Sequence, residues 1–183
     1  MSPSKIYNSI VLCGFMGCGK SSVGRALAEK LDFSFVDTDE MITEQAGRSV
    51  AQIFADCGES GFRDLEHEII RRAAARRRCV ISTGGGVMTF ERNARLLAQH
   101  GLIVHISRSF EDCYEAVRMR KNRPIAGQKS REQLFALYES RLPAYEKYAA
   151  YTLINEGTMD ETADRLVSWL FDSELIDFSP YEI

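Results

Sequence analysis

The chain has 183 residues, of which 45% are hydrophobic, values ordinary for one globular domain and far from a disordered composition. Its formal charge of −3 excludes a global basic field that would recruit nucleic acid or an anionic membrane, so a small anionic substrate would need a local cluster of arginines. The five cysteines (Cys13, Cys18, Cys57, Cys79 and Cys113) are odd in number and contain no Cys-x-x-Cys, which argues against a disulfide framework or a zinc site and for reduced thiols in the cytoplasm.

The first apolar run, Ile10–Cys13, is too short for a signal peptide, and no later stretch approaches the roughly 18 apolar residues of a membrane span; a soluble, intracellular protein is expected. A glycine-rich turn follows this run, and then a helix from Lys20 whose Val23, Leu27 and Leu31 form one apolar stripe. A second strand is predicted at Phe33–Val36. The interval from Asp39 to Arg78 holds at least two helical patterns, one starting around Ser60, and no convincing strand; it reads as a helical lobe over the edge of a sheet. Strands are predicted again at Val80–Ser82, Leu102–Ile106 and Tyr151–Ile154, with helices starting at Glu91, Ser109, Ser130 and Thr158. Ser130 with Gln133 and Thr158 with Glu161 have capping-box spacing. Lys121–Lys129, with Pro124 and Gly127, reads as a mobile loop. The acidic tail from Asp172 to Ile183 is expected to be frayed or loosely packed. Alternation of short apolar runs with helices predicts βαβ units and a parallel sheet.

Three segments carry chemistry. Gly14-Phe-Met-Gly-Cys-Gly19-Lys20-Ser21 matches G-x-x-x-x-G-K-[ST], and its context of strand before and amphipathic helix after distinguishes it from a chance glycine-rich turn. Such a loop turns its amides inward onto phosphate oxygens, and the following helix adds its positive dipole end. Lys20, placed in a solvent-facing loop, is expected to reach the β- and γ-phosphates, and Ser21 to ligate Mg²⁺. Asp37-Thr38-Asp39 lies at the carboxyl end of the second strand. If the chain is extended there, both carboxylates point to one side, one serving the water shell of magnesium and the other an acceptor hydroxyl. Phe62-Arg63 pairs an apolar wall with a guanidinium, a combination that grips a carboxylate on a carbon ring, although an Arg63–Glu66 pair on a helix surface would account for the same residues. Gly84-Gly85-Gly86 after the third strand suggests close backbone approach to a ligand and free amides to donate. The basic run Arg71-Arg72 and Arg76-Arg77-Arg78 is read as a solvated helix C-terminus rather than a nucleic-acid surface.

The ordered set Gly14–Ser21, Asp37-Thr-Asp39, Phe62-Arg63-x-x-Glu66, Gly84-Gly-Gly86, Arg123-Pro124 and Arg141 closely resembles the shikimate kinase family, from about Ile10 to Ala149. The resemblance implies an α/β, three-layer P-loop fold of the nucleoside-monophosphate-kinase type: a five-stranded parallel sheet flanked by helices, a substrate-binding lobe at about 39–78 and a lid at about 119–131, in a single domain spanning 1–183. It implies ATP-dependent phosphorylation of shikimate to shikimate 3-phosphate, a step of aromatic amino-acid biosynthesis, with Mg²⁺ as cofactor. ATP would be held by Gly14, Gly17, Cys18, Gly19, Lys20, Ser21, Ser22 and Arg123, and the metal by Ser21 and, through water, Asp37. Arg63 and Arg141 would hold the shikimate carboxylate, Asp39 would orient the 3-hydroxyl and take its proton, Gly84, Gly85 and Gly86 would contact the substrate, and Phe54 and Phe62 would pack beside its ring. Lys20, Asp39 and Arg123 would be catalytic, Arg123 entering with the lid to stabilise the transferring phosphoryl group. No nucleic-acid or membrane partner is implied, and a monomer is expected.

The chain departs from the family at Asn155–Asp160, where many relatives carry an arginine and a proline that pack on adenine; here Arg120 or backbone groups would have to hold the base. Two rival readings are another small-metabolite kinase, such as a gluconate kinase, and a catalytically silent nucleotide switch.

Overall fold

The computed structural model describes residues 5–119 and 129–179. Five parallel strands form one sheet: β1 (Ser9–Cys13), β2 (Ser34–Asp37), β3 (Cys79–Ser82), β4 (Leu102–Ser107) and β5 (Tyr151–Ile154) lie in the order β2-β3-β1-β4-β5. β1 is therefore central, pairing Ile10 with Val80 of β3 on one side and with Leu102 of β4 on the other. The strand order reverses at β1, which leaves a crevice at its carboxyl end, where α/β folds bind ligands. β1 and β3 are buried along their whole length, as helices covering both faces of a parallel sheet require.

The helices are α1 (Lys20–Leu31), α2 (Thr38–Ala46), α3 (Val50–Ala74), α4 (Glu91–His100), α5 (Phe110–Arg118), α6 (Arg131–Glu146) and α7 (Met159–Ser173). Val23, Leu27 and Leu31 of α1 are all buried, as the apolar stripe predicts. Both expected capping boxes are formed, Ser130 with Gln133 and Thr158 with Glu161, each pair satisfying two amides at a helix start.

The interval after β2 differs from the sequence expectation in two ways. The helix expected to start around Ser60 begins at Val50, under a further capping box of Ser49 and Gln52. Gly58 interrupts it with φ 67° and ψ −172°, a conformation that suits glycine, so the segment is two helical pieces, the second close to the expected start. Asp37-Thr38-Asp39 is likewise not extended: Asp37 caps α2, its Oδ1 accepting the Asp39 amide at 3.0 Å, and Asp39 lies in the first helical turn. Strand alternation therefore does not set the two carboxylates, yet both residues line one cleft.

The basic run is largely spent on structure. Arg71 pairs with Glu68, Arg72 donates to Gln45, and Arg78 donates to the carbonyls of Phe178 and Ser179 at 3.3 and 2.8 Å. Those last bonds belong to the tail, which is docked where a frayed segment was expected. Asp172 and Ser173 still belong to α7, and Ile176 forms a parallel bridge to Tyr7, whose amide donates to Leu175 and whose carbonyl accepts from Asp177. Phe178 stacks on Phe171 at 4.4 Å and lies near Phe33, apolar partners invisible to a local reading of an acidic segment. Ile176 is buried, so Ile176→Ala is expected to lower stability by about 2 kcal/mol or more, measured as a reduced urea midpoint at unchanged slope. An unaltered midpoint would show that the docked tail adds nothing to stability.

Candidate active site

The loop after β1 wraps onto α1. Gly19, at φ 99°, caps that helix, and a Cβ there would collide with the Asn155 side chain, so both conformation and space demand glycine. The Lys20 side chain is buried rather than solvent-facing: its ammonium donates to the carbonyls of Gly14 at 2.8 Å and Phe15 at 2.9 Å and lies 3.7 Å from Cys18 Sγ. Beside it, the Ser21 hydroxyl donates to Asp37 Oδ2 at 2.7 Å and lies 3.3 Å from Ser82 Oγ. Gly17, Gly19, Lys20, Ser21, Ser22, Asp37, Asp39 and Gly85 line one cleft of about 500 Å³. Ser82 lines it too, and sequence reasoning missed it. Its position as the last residue of a buried strand, at a carboxyl end, was the available signal.

A second hollow adjoins the first. Asp39, Phe54, Phe62, Arg63, Glu66, Gly84, Gly85, Gly86 and Arg141 line it, together with Met16 and Val50. The fold thus brings together every acceptor-side residue expected from sequence. Asp39 and Gly85 border both spaces, so the two lie side by side. Arg123, with Pro124, Arg120 and most of the expected lid, lies outside the described residues.

The three glycines have a spatial explanation. A Cβ on Gly84 would come 2.5 Å from Asp39 Oδ1, a distance real Cβ atoms do not tolerate. One on Gly85 would sit 3.5 Å from Arg141 Nη1, and one on Gly86 would sit 3.4 Å from Arg63 Nη1 and 3.6 Å from Arg141 Nη2. Of the three, only Gly84 could not take a side chain unless the Asp39 carboxylate moved. At the other two positions a methyl would meet a guanidinium at ordinary or slightly tight contact distance. The expectation of free amides needs correction at Gly84, whose N–H donates to the buried Thr38 hydroxyl at 3.0 Å.

Arg63 is held on several sides. Its guanidinium lies over the rings of Phe90 at 4.6 Å and Phe62 at 5.1 Å, and Phe62 stacks on Phe54 at 4.5 Å. Nη1 donates to Glu66 Oε1 at 2.8 Å. The Glu66 side chain is only 3% exposed, so this is a buried pair, not the surface pair that the spacing alone would allow. Burial pushes the Glu66 carboxyl up, and the charge and hydrogen bond of Arg63 pull it back. Glu66 Oε2 and Arg63 Nε have no hydrogen-bond partner among the described residues, a cost that preorganised sites carry.

Asn155, the first residue of the stretch that departs from the family, is committed to the glycine-rich loop. Its Nδ2 donates to the Cys18 carbonyl at 2.7 Å, and its Oδ1 accepts from Thr162 at 3.0 Å, so it braces the glycine-rich loop against α7. Arg108, Ala116, Met119 and Met159 also line the larger cleft. Arg108 donates to the Gly17 carbonyl at 3.3 Å. Sequence reading passed over Arg108, because nothing local marks an arginine after β4 as facing the first loop.

The model of the family described as shikimate kinase matches residues 16–171. The chain belongs to the shikimate kinase family. The shikimate kinase of Thermodesulfovibrio yellowstonii is 40% identical over 161 residues, covering 87% of this chain and 92% of the relative. That of Ruegeria pomeroyi is 36% identical over 168 residues, with 90% and 86% covered. Among solved structures, shikimate kinase from Acinetobacter baumannii in complex with shikimate superposes with a TM-score of 0.87 at 33% identity, covering 92% of this chain and 96% of that one.

Beneath the family's nucleotide loop, burial holds the pKa of His105 below its ordinary value. Its Nδ1 lacks a hydrogen-bond partner among the described residues. A depressed folded pKa means that the unfolded state takes up the proton first. The stability contributed by neutral His105 is present above the ordinary histidine pKa of about 6.5 and is lost as pH falls through the lower folded value, at no more than about 1.4 kcal/mol per pH unit. His105→Phe is therefore expected to flatten the decline of Tm below pH 6.5 relative to wild type. Parallel declines would rule out this titration.

Proposed function

We propose that this chain transfers the γ-phosphoryl group of magnesium–ATP to the 3-hydroxyl of shikimate, giving ADP and shikimate 3-phosphate, a step of aromatic amino-acid biosynthesis. The observation that carries this reading is the convergence of Asp39, Arg63 and Arg141 on three consecutive glycines, in a hollow that shares Asp39 and Gly85 with the phosphate-loop cleft.

The β- and γ-phosphates lie in the nest of Gly14–Ser21 amides, with Ser22 at the start of α1, and Lys20 exchanges the Gly14 and Phe15 carbonyls for phosphate oxygens. The Ser21 hydroxyl and Asp37 carboxylate, 2.7 Å apart, are hard oxygen donors that suit Mg²⁺, which uses one or two protein oxygens and keeps several waters. When bound, the metal neutralises charge on the transferring group. Arg63 and Arg141 fix the shikimate carboxylate through planar guanidinium groups, with Phe54 and Phe62 as the apolar wall beside the ring. Asp39, bordering both hollows, orients the 3-hydroxyl in line with the γ-phosphorus and takes its proton as the new P–O bond forms. A loose transition state demands little early deprotonation, so positioning supplies most of the rate. Arg123 is assigned to the developing phosphoryl charge on the family resemblance.

No described helix is long and apolar enough to cross a membrane, and all five cysteines are free thiols, in keeping with the reducing cytoplasm.

ADP release coupled to a reporter, with and without shikimate and with gluconate as a control acceptor, tests the reading. Shikimate-dependent turnover is expected; turnover with gluconate alone would overturn the assignment, and none with any acceptor would favour a nucleotide switch. Arg63→Ala and Arg141→Ala are each expected to raise the shikimate KM by at least thirtyfold, about 2 kcal/mol, while the ATP KM changes far less. Removing Arg63 also leaves Glu66 buried without its cation, so that variant should lose stability as well.

Base recognition should be loose. Arg108, Met119 and Met159 offer flat polarisable contact rather than directed amides, and Asn155 is spent on the loop. GTP or CTP is expected to replace ATP with at most about a hundredfold loss in kcat/KM, roughly 2.7 kcal/mol. A loss of several thousandfold for GTP would show a closely read purine edge.

A further inference from the structure

Tyr145 lies on α6 one turn beyond Arg141, so the two side chains share a helix face. It is wholly buried, yet its hydroxyl reaches the active-site loop, donating to the Gly85 carbonyl at 2.6 Å. The guanidinium of Arg141 stands over the same glycine, with Nη1 3.5 Å from where a Cβ would be. One helix face thus meets the glycine loop twice, with a guanidinium standing close to it and a phenol bonded to it.

The phenol is built to remain a donor. Burial pushes its pKa well above the ordinary tyrosine value, against the opposing charge and hydrogen bonding of Arg141. Its ring rests on the His105 imidazole, with centroids 5.3 Å apart and planes tilted by 32°, and Cys13 Sγ lies 3.9 Å from the Tyr145 carbonyl. β1 and β4, the strands that carry these two residues, are the central strands behind the phosphate loop. The tyrosine therefore ties the rigid middle of the sheet to the loop that must present Gly85 and Gly86 beneath the carboxylate clamp.

Resting on the shikimate reading above, we propose that Tyr145 is a positioning residue for the acceptor: its O–H···O=C bond to Gly85 sets the height of the glycine loop and the pose of Arg141, and so governs shikimate affinity without touching substrate. A single buried hydrogen bond to a backbone carbonyl is a modest interaction. Losing its donor leaves the carbonyl unsatisfied and frees the loop to shift.

Tyr145→Phe keeps the ring and removes only the hydroxyl. The expected result is a shikimate KM raised about tenfold, with kcat within about threefold and ATP KM within about twofold of wild type. Calorimetric titration of shikimate without nucleotide should show the same weakening. In an Arg141→Lys background the substitution should cost much less, because both act on one loop. A purely structural role would lower Tm and leave the KM split and this coupling absent. As a measurement independent of how the variant folds, 3-fluorotyrosine at position 145 should give a fluorine resonance that moves on addition of shikimate and not of ATP alone. An unchanged shikimate KM in Tyr145→Phe, additive effects with Arg141→Lys, or a resonance indifferent to shikimate would each overturn the inference. A wild-type enzyme that does not phosphorylate shikimate would overturn the acceptor reading and this inference with it. Shikimate turnover by wild type beside an unaltered Tyr145→Phe variant would overturn the inference alone.

Discussion

Two arginines and an aspartate crowd against a stretch of backbone that has no side chains. Their convergence is the constraint on which the site depends. In a chain with a net charge of −3, nothing long-range concentrates anions, so binding must come from guanidinium groups brought close together. Bringing them close requires room, and Gly84–Gly86 supply it at the carboxyl end of β3. The carboxylate of Asp39, 2.5 Å from where a Gly84 Cβ would stand, fills the remaining space and lies against the border of the phosphate cleft.

The electrostatics of the clamp are costly and local. Arg63 is paired with a glutamate that is almost fully buried, and its guanidinium is faced by two phenylalanine rings. Replacing such a pair with apolar residues can be neutral or favourable for stability, so stability alone does not explain it. Its value is orientation: Glu66 and the two rings fix the plane of Arg63 before any ligand arrives, which lowers the ordering cost of binding. The same economy of motion operates below the glycine loop, where Tyr145 and Thr38 bond to its Gly85 carbonyl and Gly84 amide.

On the nucleotide side, groups expected to meet the ligand also support one another. Lys20 folds onto the loop's carbonyls, Ser21 donates to Asp37, and Asn155 ties Cys18 to α7. Each bond satisfies a polar group in a region where water access is limited. The departure from the family's adenine loop is thereby given a physical content. Asn155 serves the loop's shape, and Arg108, Met119 and Met159 are among the residues lining the cleft beside it.

By itself the sequence determined the parallel sheet, its five strands to within a residue or two, the phosphate loop and the residue types of the acceptor site. These are legible because strand and helix periodicity, capping spacing and G-x-x-x-x-G-K-S are local patterns with local physical causes. It misjudged Asp37–Asp39, because an N-cap aspartate turns the chain into a helix at once and local polarity does not distinguish that from an extended turn. It misjudged the tail, whose partners Tyr7, Phe33 and Arg78 lie at least 100 positions away in the chain. Tertiary structure alone decided that Arg63–Glu66 is buried, that Ser82 and Arg108 border the cleft, and that Tyr145 reaches Gly85 from 60 residues away. Burial and long-range contact depend on what the rest of the chain places nearby, and no window of sequence contains that information.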